Sequence, residues 1–400
     1  MRLWPFLAVT LLAAPLAMAR PVIADGPPPV PAERLILAAD TETRWIPFTL
    51  TPHNQIAFDA LIGGRPARAV LDTGVSVSVL ARRWAEREGL KLASGTLALG
   101  VGGDVPLDWV TSPSVVIGGL TREGGRLGVV DLPAGVTGGS TAVDALIGRD
   151  MIDRYALDID FAAHRFRLLP SGHLPFAGAT APLSILPRQQ LYVSELRVGD
   201  ARLRPVLVDT GDGAAITLSD QAWRGLTARP AATSTISYGV SGPVTTDLAT
   251  LPHAALGDAP LHDVEVRVEP ADGFSARIGV AGRIGLGVLQ HYRVLLDPLA
   301  GRMVLAAEGS AAAPPTRSTS GLLFSIGGDR LRVVHVMRGS PAAAGGWSVG
   351  DQICSIDGKA IGRTYADGPE ADWPTGTPGR VVALGMCGGG TRSLTLARFY

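Results

Sequence analysis

The chain has 400 residues, 46% of them apolar and 18% charged, and its 36 basic residues balance its 36 acidic ones, so the formal net charge is zero. This balance excludes a disordered polyelectrolyte, and it gives no basic footprint for nucleic acid. The chain contains 50 glycines and 30 prolines, a composition typical of a turn-rich β architecture.

The first residues have the layout of a secretory signal peptide. Arg2 precedes an apolar stretch over residues 3–16, and an Ala-Met-Ala cleavage motif ends at Ala19. This stretch is shorter than the ~20 residues that cross a bilayer. We expect residues 1–19 to be removed and the mature chain to be exported, periplasmic or secreted, with no membrane span. Residues 20–44 then form an N-terminal extension.

The body that follows contains an internal repeat. Asp72-Thr73-Gly74 recurs 137 residues later as Asp209-Thr210-Gly211, and "LIGRDMIDRYALDIDF" at 146 aligns at the same offset with "RIGLGVLQHYRVLLDP" at 283. Between these motifs, "LGVGGDV" at 99 corresponds to "YGVSGPV" at 238. The repeat predicts two pseudo-symmetric lobes, over residues 45–170 and 171–307.

Each half has the pattern of a small β unit. "IAFDALIGG" leads into "RPARAVLDTG" around a Gly-Gly turn, and "LYVSELRVGD" leads into "ARLRPVLVDTG", as two hairpins would. The segment 80–89 predicts a short helix that stops at Gly89, and "IGRDMIDRY" could form another.

A single Asp-Thr-Gly is common as plain turn structure, but its duplication changes the interpretation. A pseudo-two-fold axis would bring Asp72 and Asp209 together, and two carboxylates that share a site cannot both ionise easily. The charged one can deprotonate a water while the protonated one polarises a carbonyl. The neighbouring residues fit as supports, the threonine hydroxyls as a cross-lobe brace and the glycines for close approach: Thr73, Gly74, Thr210 and Gly211.

These motifs resemble the aspartic proteases, and more closely their retroviral-type (retropepsin-like) branch. The similarity rests on "VLDTGVSVSVL", the Gly-rich "LGVGGDV" and "ALIGRDMI". It implies an endopeptidase that acts on peptide or protein substrates with Asp72 and Asp209 as the catalytic dyad. We expect no cofactor and no metal. The implied flap residues are Gly100, Val101, Gly102 and Gly103 in the first lobe and Tyr238 and Gly239 in the second.

The second lobe departs from the family pattern in two places. Asp212 follows Gly211 where a small residue is usual, and "RIGLGVL" lacks the Arg-Asp pair. If the second lobe is a relic, first lobes of two chains would pair as a homodimer; if it is intact, the chain works as a monomer. In the second case Asp212 should raise the pKa values of the dyad. Val75 lacks a hydroxyl, and we expect activity at mildly acidic to neutral pH.

The last part of the chain resembles a PDZ domain. "EGSAAAPPTRSTS", residues 308–320, has the composition of a linker, and residues 321–400 have the size of one small domain. "GSPAAAGGWSVGDQICSIDG" carries the resemblance. It implies a β-rich α+β domain whose loop at Gly321, Leu322, Leu323 and Phe324 could hold the C-terminal carboxylate of a peptide ligand. The second helix, near residues 364–379, should be short or irregular.

Two further questions stay open at this level. Cys354 and Cys387 are the only cysteines, and one pair makes no disulfide framework, so free buried thiols are the default expectation beside a single bridge. The sequence also allows a non-catalytic peptide-binding protein that keeps the protease and PDZ folds. A serine protease has no support, since no G-N-S-G-G motif is present and the two lysines, Lys91 and Lys359, are badly placed for a Ser-Lys pair.

Overall fold

The computed structural model describes residues 31–138, 142–307 and 315–400. The expected signal peptide, residues 20–30 of the extension and residues 308–314 of the linker lie outside these ranges. The predicted mainly β fold is confirmed: the strands form a sixteen-stranded, an eight-stranded and a six-stranded sheet. Among the described residues, no helix is both long enough and apolar enough to cross a membrane.

The first lobe and the strand that precedes it lie in the largest sheet. Its elements are β1 Arg34–Leu37, β2 Ile46–Leu50, β3 Ile56–Ile62, β4 Arg65–Leu71, β5 Val79–Ala81, α1 Arg82–Arg87, β6 Ala93–Gly100, β7 Gly103–Thr111, β8 Val115–Ile117, β9 Leu120–Glu123, β10 Arg126–Val130, β11 Ala145–Ile147, α2 Arg149–Ile152, β12 Tyr155–Asp160 and β13 Arg165–Pro170. Short 3-10 turns cover Thr41–Thr43 and Ala134–Val136. The N-terminal extension thus contributes β1, which pairs with β9.

The second lobe repeats this order. Its elements are β14 Ala179–Pro182, β15 Ser184–Leu186, β16 Leu191–Val198, β17 Ala201–Val208, β18 Ile216–Leu218, α3 Asp220–Arg224, β19 Thr233–Gly239, β20 Gly242–Leu256, β21 Ala259–Val268, α4 Phe274–Ile278, β22 Gly282–Ile284, α5 Leu286–Leu289, β23 Tyr292–Asp297 and β24 Arg302–Ala307. In both lobes a hairpin leads to Asp-Thr-Gly, and a parallel strand then flanks the second hairpin strand: β11 beside β4 and β22 beside β17.

The lobes are joined by strands in the order β14-β24-β23-β12-β13-β2. β12 and β23 pair at its centre, with Leu157 opposite Leu296 and Asp158 opposite Leu295. The two strands are equivalent positions of the 137-residue repeat, so their pairing lies on the pseudo-two-fold axis between the lobes. A continuous apolar core runs beneath it through both lobes, and it fixes how the two Asp-Thr-Gly turns face each other.

The C-terminal segment forms its own sheet over a second apolar core. Its elements are β25 Leu322–Ile326, β26 Leu331–Val336, α6 Pro341–Ala344, β27 Gln352–Ile356, β28 Lys359–Ala360, 3-10 helices at Tyr365–Asp367 and Pro369–Thr375, β29 Val381–Met386 and β30 Thr391–Thr395. Cys354 and Cys387 form a disulfide, so the default expectation of free thiols was wrong. The pairing of β27 with β29 brings these two positions, 33 residues apart, side by side.

The C-terminal sheet contacts the second lobe at the base of the β19–β20 hairpin. Ser234 Oγ accepts a hydrogen bond from the N–H of Arg338 at 3.0 Å and lies 2.9 Å from His335 Nε2. Thr233 Oγ1 donates to the carbonyl of Arg338 at 2.7 Å. The Arg338 side chain reaches Asp247 on the partner strand of the same hairpin.

Candidate active site

Asp72 and Asp209 directly follow β4 and β17, the central strands of their lobes. The N–H of Gly74 donates to Asp72 Oδ1 at 2.9 Å, and the N–H of Gly211 donates to Asp209 Oδ1 at 3.0 Å. The two carboxyl groups face each other between the lobes, each close against the glycine of the opposite turn. A Cβ atom on either glycine would overlap the carboxyl group of the opposite lobe, so only glycine permits this approach.

Thr73 and Thr210 tie the two turns together behind the carboxyl groups. Each hydroxyl accepts a hydrogen bond from the backbone N–H of the other threonine at 3.0 Å. Thr73 Oγ1 donates to the carbonyl of Val208 at 2.7 Å, and Thr210 Oγ1 donates to that of Leu71 at 2.8 Å. Both threonines are fully buried. This closed four-bond pattern pairs backbone groups that have no other strand to bond, and it holds the carboxyl groups in register.

The two carboxyl groups are electrostatically unequal. Burial, followed by the charge of Asp209, holds the pKa of Asp72 well above its ordinary range. Burial and the charge of Asp212 raise the pKa of Asp209 to about 6, and the guanidinium of Arg283 partly opposes this rise. The pair therefore keeps a shared proton at mildly acidic pH, and we expect Asp209 to ionise before Asp72.

A buried ionic cluster surrounds Asp209, and the sequence analysis identified only one of its members, Asp212. Arg283 Nε donates to Asp212 Oδ2 at 3.0 Å and lies 3.8 Å from Asp209 Oδ2, while its Nη1 donates to Glu269 Oε1 at 2.7 Å. Burial alone would raise the pKa of Asp212, but Arg283 and the N–H of Ala214 hold it below its ordinary value. The repeat aligns Arg283 with the apolar Leu146, and a charged residue at a position that is apolar in the other lobe could have drawn attention to it.

Two hairpins cover the carboxyl groups. The β6–β7 turn and the β19–β20 turn meet tip to tip, where Ser241 Oγ donates to the carbonyl of Gly103 at 3.0 Å. The Tyr238 ring stacks on His53 with centroids 5.1 Å apart. Beneath the hairpins lies a cleft of about 440 Å³ whose floor is Asp72 and Asp209. Its size and enclosure suit a few residues of an extended peptide.

A loop of the first lobe also reaches the turn of the second. Gln55 Nε2 donates to the carbonyl of Gly211 at 2.9 Å, and Asn54 Nδ2 donates to that of Gly213 at 3.2 Å. Neither residue was singled out from the sequence, because amides in a polar turn carry no pattern that predicts a long-range partner.

The predicted site residues fall into two places. The two aspartates and the two glycines lie on the cleft floor, and Thr73 and Thr210 lie buried behind them. The flap residues lie over the floor: Gly100, Val101, Tyr238 and Gly239 line the cleft, with Gly102 and Gly103 at the hairpin tip. The C-terminal loop lies elsewhere, at the start of β25. There the N–H groups of Gly321 and Leu322 donate to the hydroxyls of Ser318 and Ser320, while Leu323 pairs with β26 and the Phe324 ring packs on Trp373.

Comparison with known proteins covers the first lobe. Residues 58–151 match the family model described as aspartyl protease, and no curated protein matches the chain. Among solved structures, the chain is similar to EIAV protease complexed with the inhibitor HBY-793, at 25% identity and a TM-score of 0.21, over 26% of this chain and 90% of that one. Residues 58–151, which carry Asp72, therefore form an aspartyl-protease-like region.

Proposed function

We propose that the chain is a retropepsin-like aspartic endopeptidase whose dyad, Asp72 and Asp209, comes from two lobes of one chain. The observation that carries this proposal is the threonine brace, which holds each carboxyl group against the glycine of the opposite turn at the floor of a cleft roofed by two hairpins. The match of residues 58–151 to aspartyl proteases supports it. Because each lobe supplies one aspartate, a monomer suffices for activity.

The unequal pKa values assign the two roles. Ionised Asp209 takes a proton from a water between the carboxyl groups as that water attacks the scissile carbonyl carbon. Asp72, which holds the shared proton, donates it to the carbonyl oxygen. The resulting diol collapses when a proton passes to the amide nitrogen and the C–N bond breaks. The peptide is thus hydrolysed without a covalent intermediate.

We further propose that the protein is exported and that the C-terminal domain is PDZ-like and recruits or orients substrates. The signal-like first residues support export, as does the Cys354–Cys387 disulfide, since such bonds persist in oxidising compartments. The order of strands and short helices after residue 320, with irregular 3-10 turns where a second helix is expected, is compatible with a PDZ-like domain.

The direct test is peptide cleavage by purified protein and by its Asp72→Asn variant. We expect the variant to lose at least about a thousandfold in kcat/KM, because no group is left to donate the proton. Asp220→Asn, a partly buried carboxylate on α3 that pairs with Arg224 outside the cleft, is the matched control. Equal cleavage by the wild type and the Asp72→Asn variant would refute the proposal, and peptide binding without any cleavage would favour a non-catalytic binding protein.

A further inference from the structure

The two walls of the cleft are built from equivalent positions that differ in chemistry. The N–H of Arg149 donates to the carbonyl of Val75, and the N–H of Leu286 donates in the same way to that of Asp212. These hydrogen bonds make Val75 and Asp212 structural counterparts, one behind each catalytic turn.

The strand register extends this equivalence. Leu146 lies opposite Val79 in the first lobe, and Arg283 lies opposite Thr217 in the second. Val130 is the last residue of β10, and Glu269, at the equivalent position of the second lobe, directly follows β21. The matched pairs are Val75 and Asp212, Val79 and Thr217, Val130 and Glu269, and Leu146 and Arg283. All four members from the first lobe line the cleft and are apolar. All four from the second are polar or charged, and of these Asp212 and Arg283 line the cleft.

The carboxylates of the second wall are already occupied. Asp212 accepts hydrogen bonds from the N–H of Ala214, from Thr217 Oγ1 and from Arg283 Nε. Glu269 accepts from the N–H of Ser275 and from Arg283 Nη1. Both carboxylates are therefore already paired with the Arg283 guanidinium.

Arg267 is different, because it has hydrogen-bond donors to spare. Its guanidinium lines the cleft and its Nη1 donates to Ser237 Oγ at 3.2 Å. Its Nε is buried and forms an ion pair with Glu265 Oε1 at 3.5 Å. A guanidinium carries five N–H donors, and no hydrogen bond within the described residues is made by Nη2 of Arg267. A carboxylate is the acceptor that matches this fork best.

We infer that the cleft selects an acidic residue on one side of the scissile bond, facing Arg267, and an apolar residue on the other side, facing Val75, Val79 and Leu146. This inference rests on the proposed function, since it names the substrate class of the same cleft. The substrate is then a peptide with an apolar–acidic or acidic–apolar pair at the cut, and not the doubly apolar pair that two identical walls would favour.

The test compares peptides that differ only at the two residues of the cut: Leu-Glu, Glu-Leu, Leu-Lys, Lys-Leu and Leu-Leu. We expect one of the two glutamate peptides to exceed Leu-Leu in kcat/KM by roughly tenfold to a hundredfold, the range for a charged hydrogen bond. Arg267→Leu should reduce the ratio of glutamate to leucine cleavage toward one, and Arg267→Gln should reduce it in part. Arg224→Leu, an exposed arginine of the same lobe on α3, should leave the ratio as it is.

Binding of the same peptides to the Asp72→Asn variant separates this inference from the proposed function. If the wild type cleaves no peptide, but the glutamate peptide binds more tightly than Leu-Leu and this difference requires Arg267, the selectivity stands and the protease assignment fails. If cleavage depends on Asp72 while Leu-Leu or a lysine peptide is preferred, the selectivity is refuted and the protease assignment stands. A glutamate preference that survives Arg267→Leu also refutes the role of Arg267.

Discussion

The Nε atom of Arg283 lies 3.8 Å from Asp209 Oδ2, whereas the equivalent position beside Asp72 is Leu146. The fold is two-fold symmetric at the dyad, but the charges around it are not. One aspartate has a cation and a second carboxylate next to it, and the other faces an apolar wall. This asymmetry sets which carboxyl group keeps the shared proton, and it determines the expected pH dependence.

The acidic limb of the pH–rate profile reports the ionisation of Asp209. Because its pKa is about 6, kcat/KM should rise through this region, and the optimum should lie at mildly acidic to neutral pH. Asp212→Asn removes a negative charge that raises the pKa of Asp209, so the limb should move to lower pH. A limb that stays in place or moves upward in the variant would contradict this electrostatic account; Asp220→Asn serves as the control.

Ionisation of Asp209 should lower the stability of the fold over the same pH range in which it raises kcat/KM. The pKa of Asp209 is raised from 3.8 to about 6, so its contribution to stability is complete below 3.8 and is lost as pH rises through 6. Asp209→Asn does not titrate, and its free energy of unfolding relative to the wild type should increase between pH 4 and 7, by up to about 3 kcal/mol. Urea denaturation at several pH values measures this, and a difference that is constant with pH would disprove it.

The threonine brace predicts a sharp distinction between two conservative changes. Thr73→Val removes Oγ1 and leaves the N–H of Thr210 and the carbonyl of Val208 buried and unpaired, which should cost about 2–4 kcal/mol of unfolding free energy. Thr73→Ser keeps the oxygen and should cost much less. Urea midpoints compare them, and equal destabilisation by both variants would show that the hydroxyl is not the important group.

The C-terminal domain should restrain the second hairpin at its base. Ser234→Ala removes the acceptor for the N–H of Arg338 and the contact with His335, so amide hydrogen exchange within residues 233–244 should become faster. Arg332→Ala, an exposed position on the same strand as His335, is the matched control. Unchanged exchange in the Ser234 variant would mean that the domain does not act on the hairpin.

The internal repeat carried most of the information that the sequence holds about the fold. The 137-residue offset predicted two β lobes, and the structure brings together the aspartates, threonines and hairpin tips that the repeat pairs. The short helices expected within residues 80–89 and 147–155 are present as α1 and α2. Period-2 patterns and Gly-rich turns carry such local information directly.

Side-chain contacts between residues far apart in the sequence were harder to predict. Asp150 accepts hydrogen bonds from Ser78, but its counterpart Gly287 has no side chain, and the longer second turn instead packs its backbone against that glycine. The second lobe lacks the Arg-Asp pair, and backbone atoms of Ala214 and Ala215 lie against Gly287 in its place. Charged residues such as Arg283 are usually exposed, so burial beside the dyad cannot be read from residue type alone.

The most direct test of a dyad within one chain is cleavage by Asp209→Asn, alone and mixed with an equal amount of Asp72→Asn. We expect each variant, and the mixture, to retain less than about a thousandth of wild-type kcat/KM, since both aspartates of the same chain are needed. Substantial activity of Asp209→Asn alone would contradict the account and indicate that first lobes of two chains pair. Activity restored by mixing would likewise contradict it.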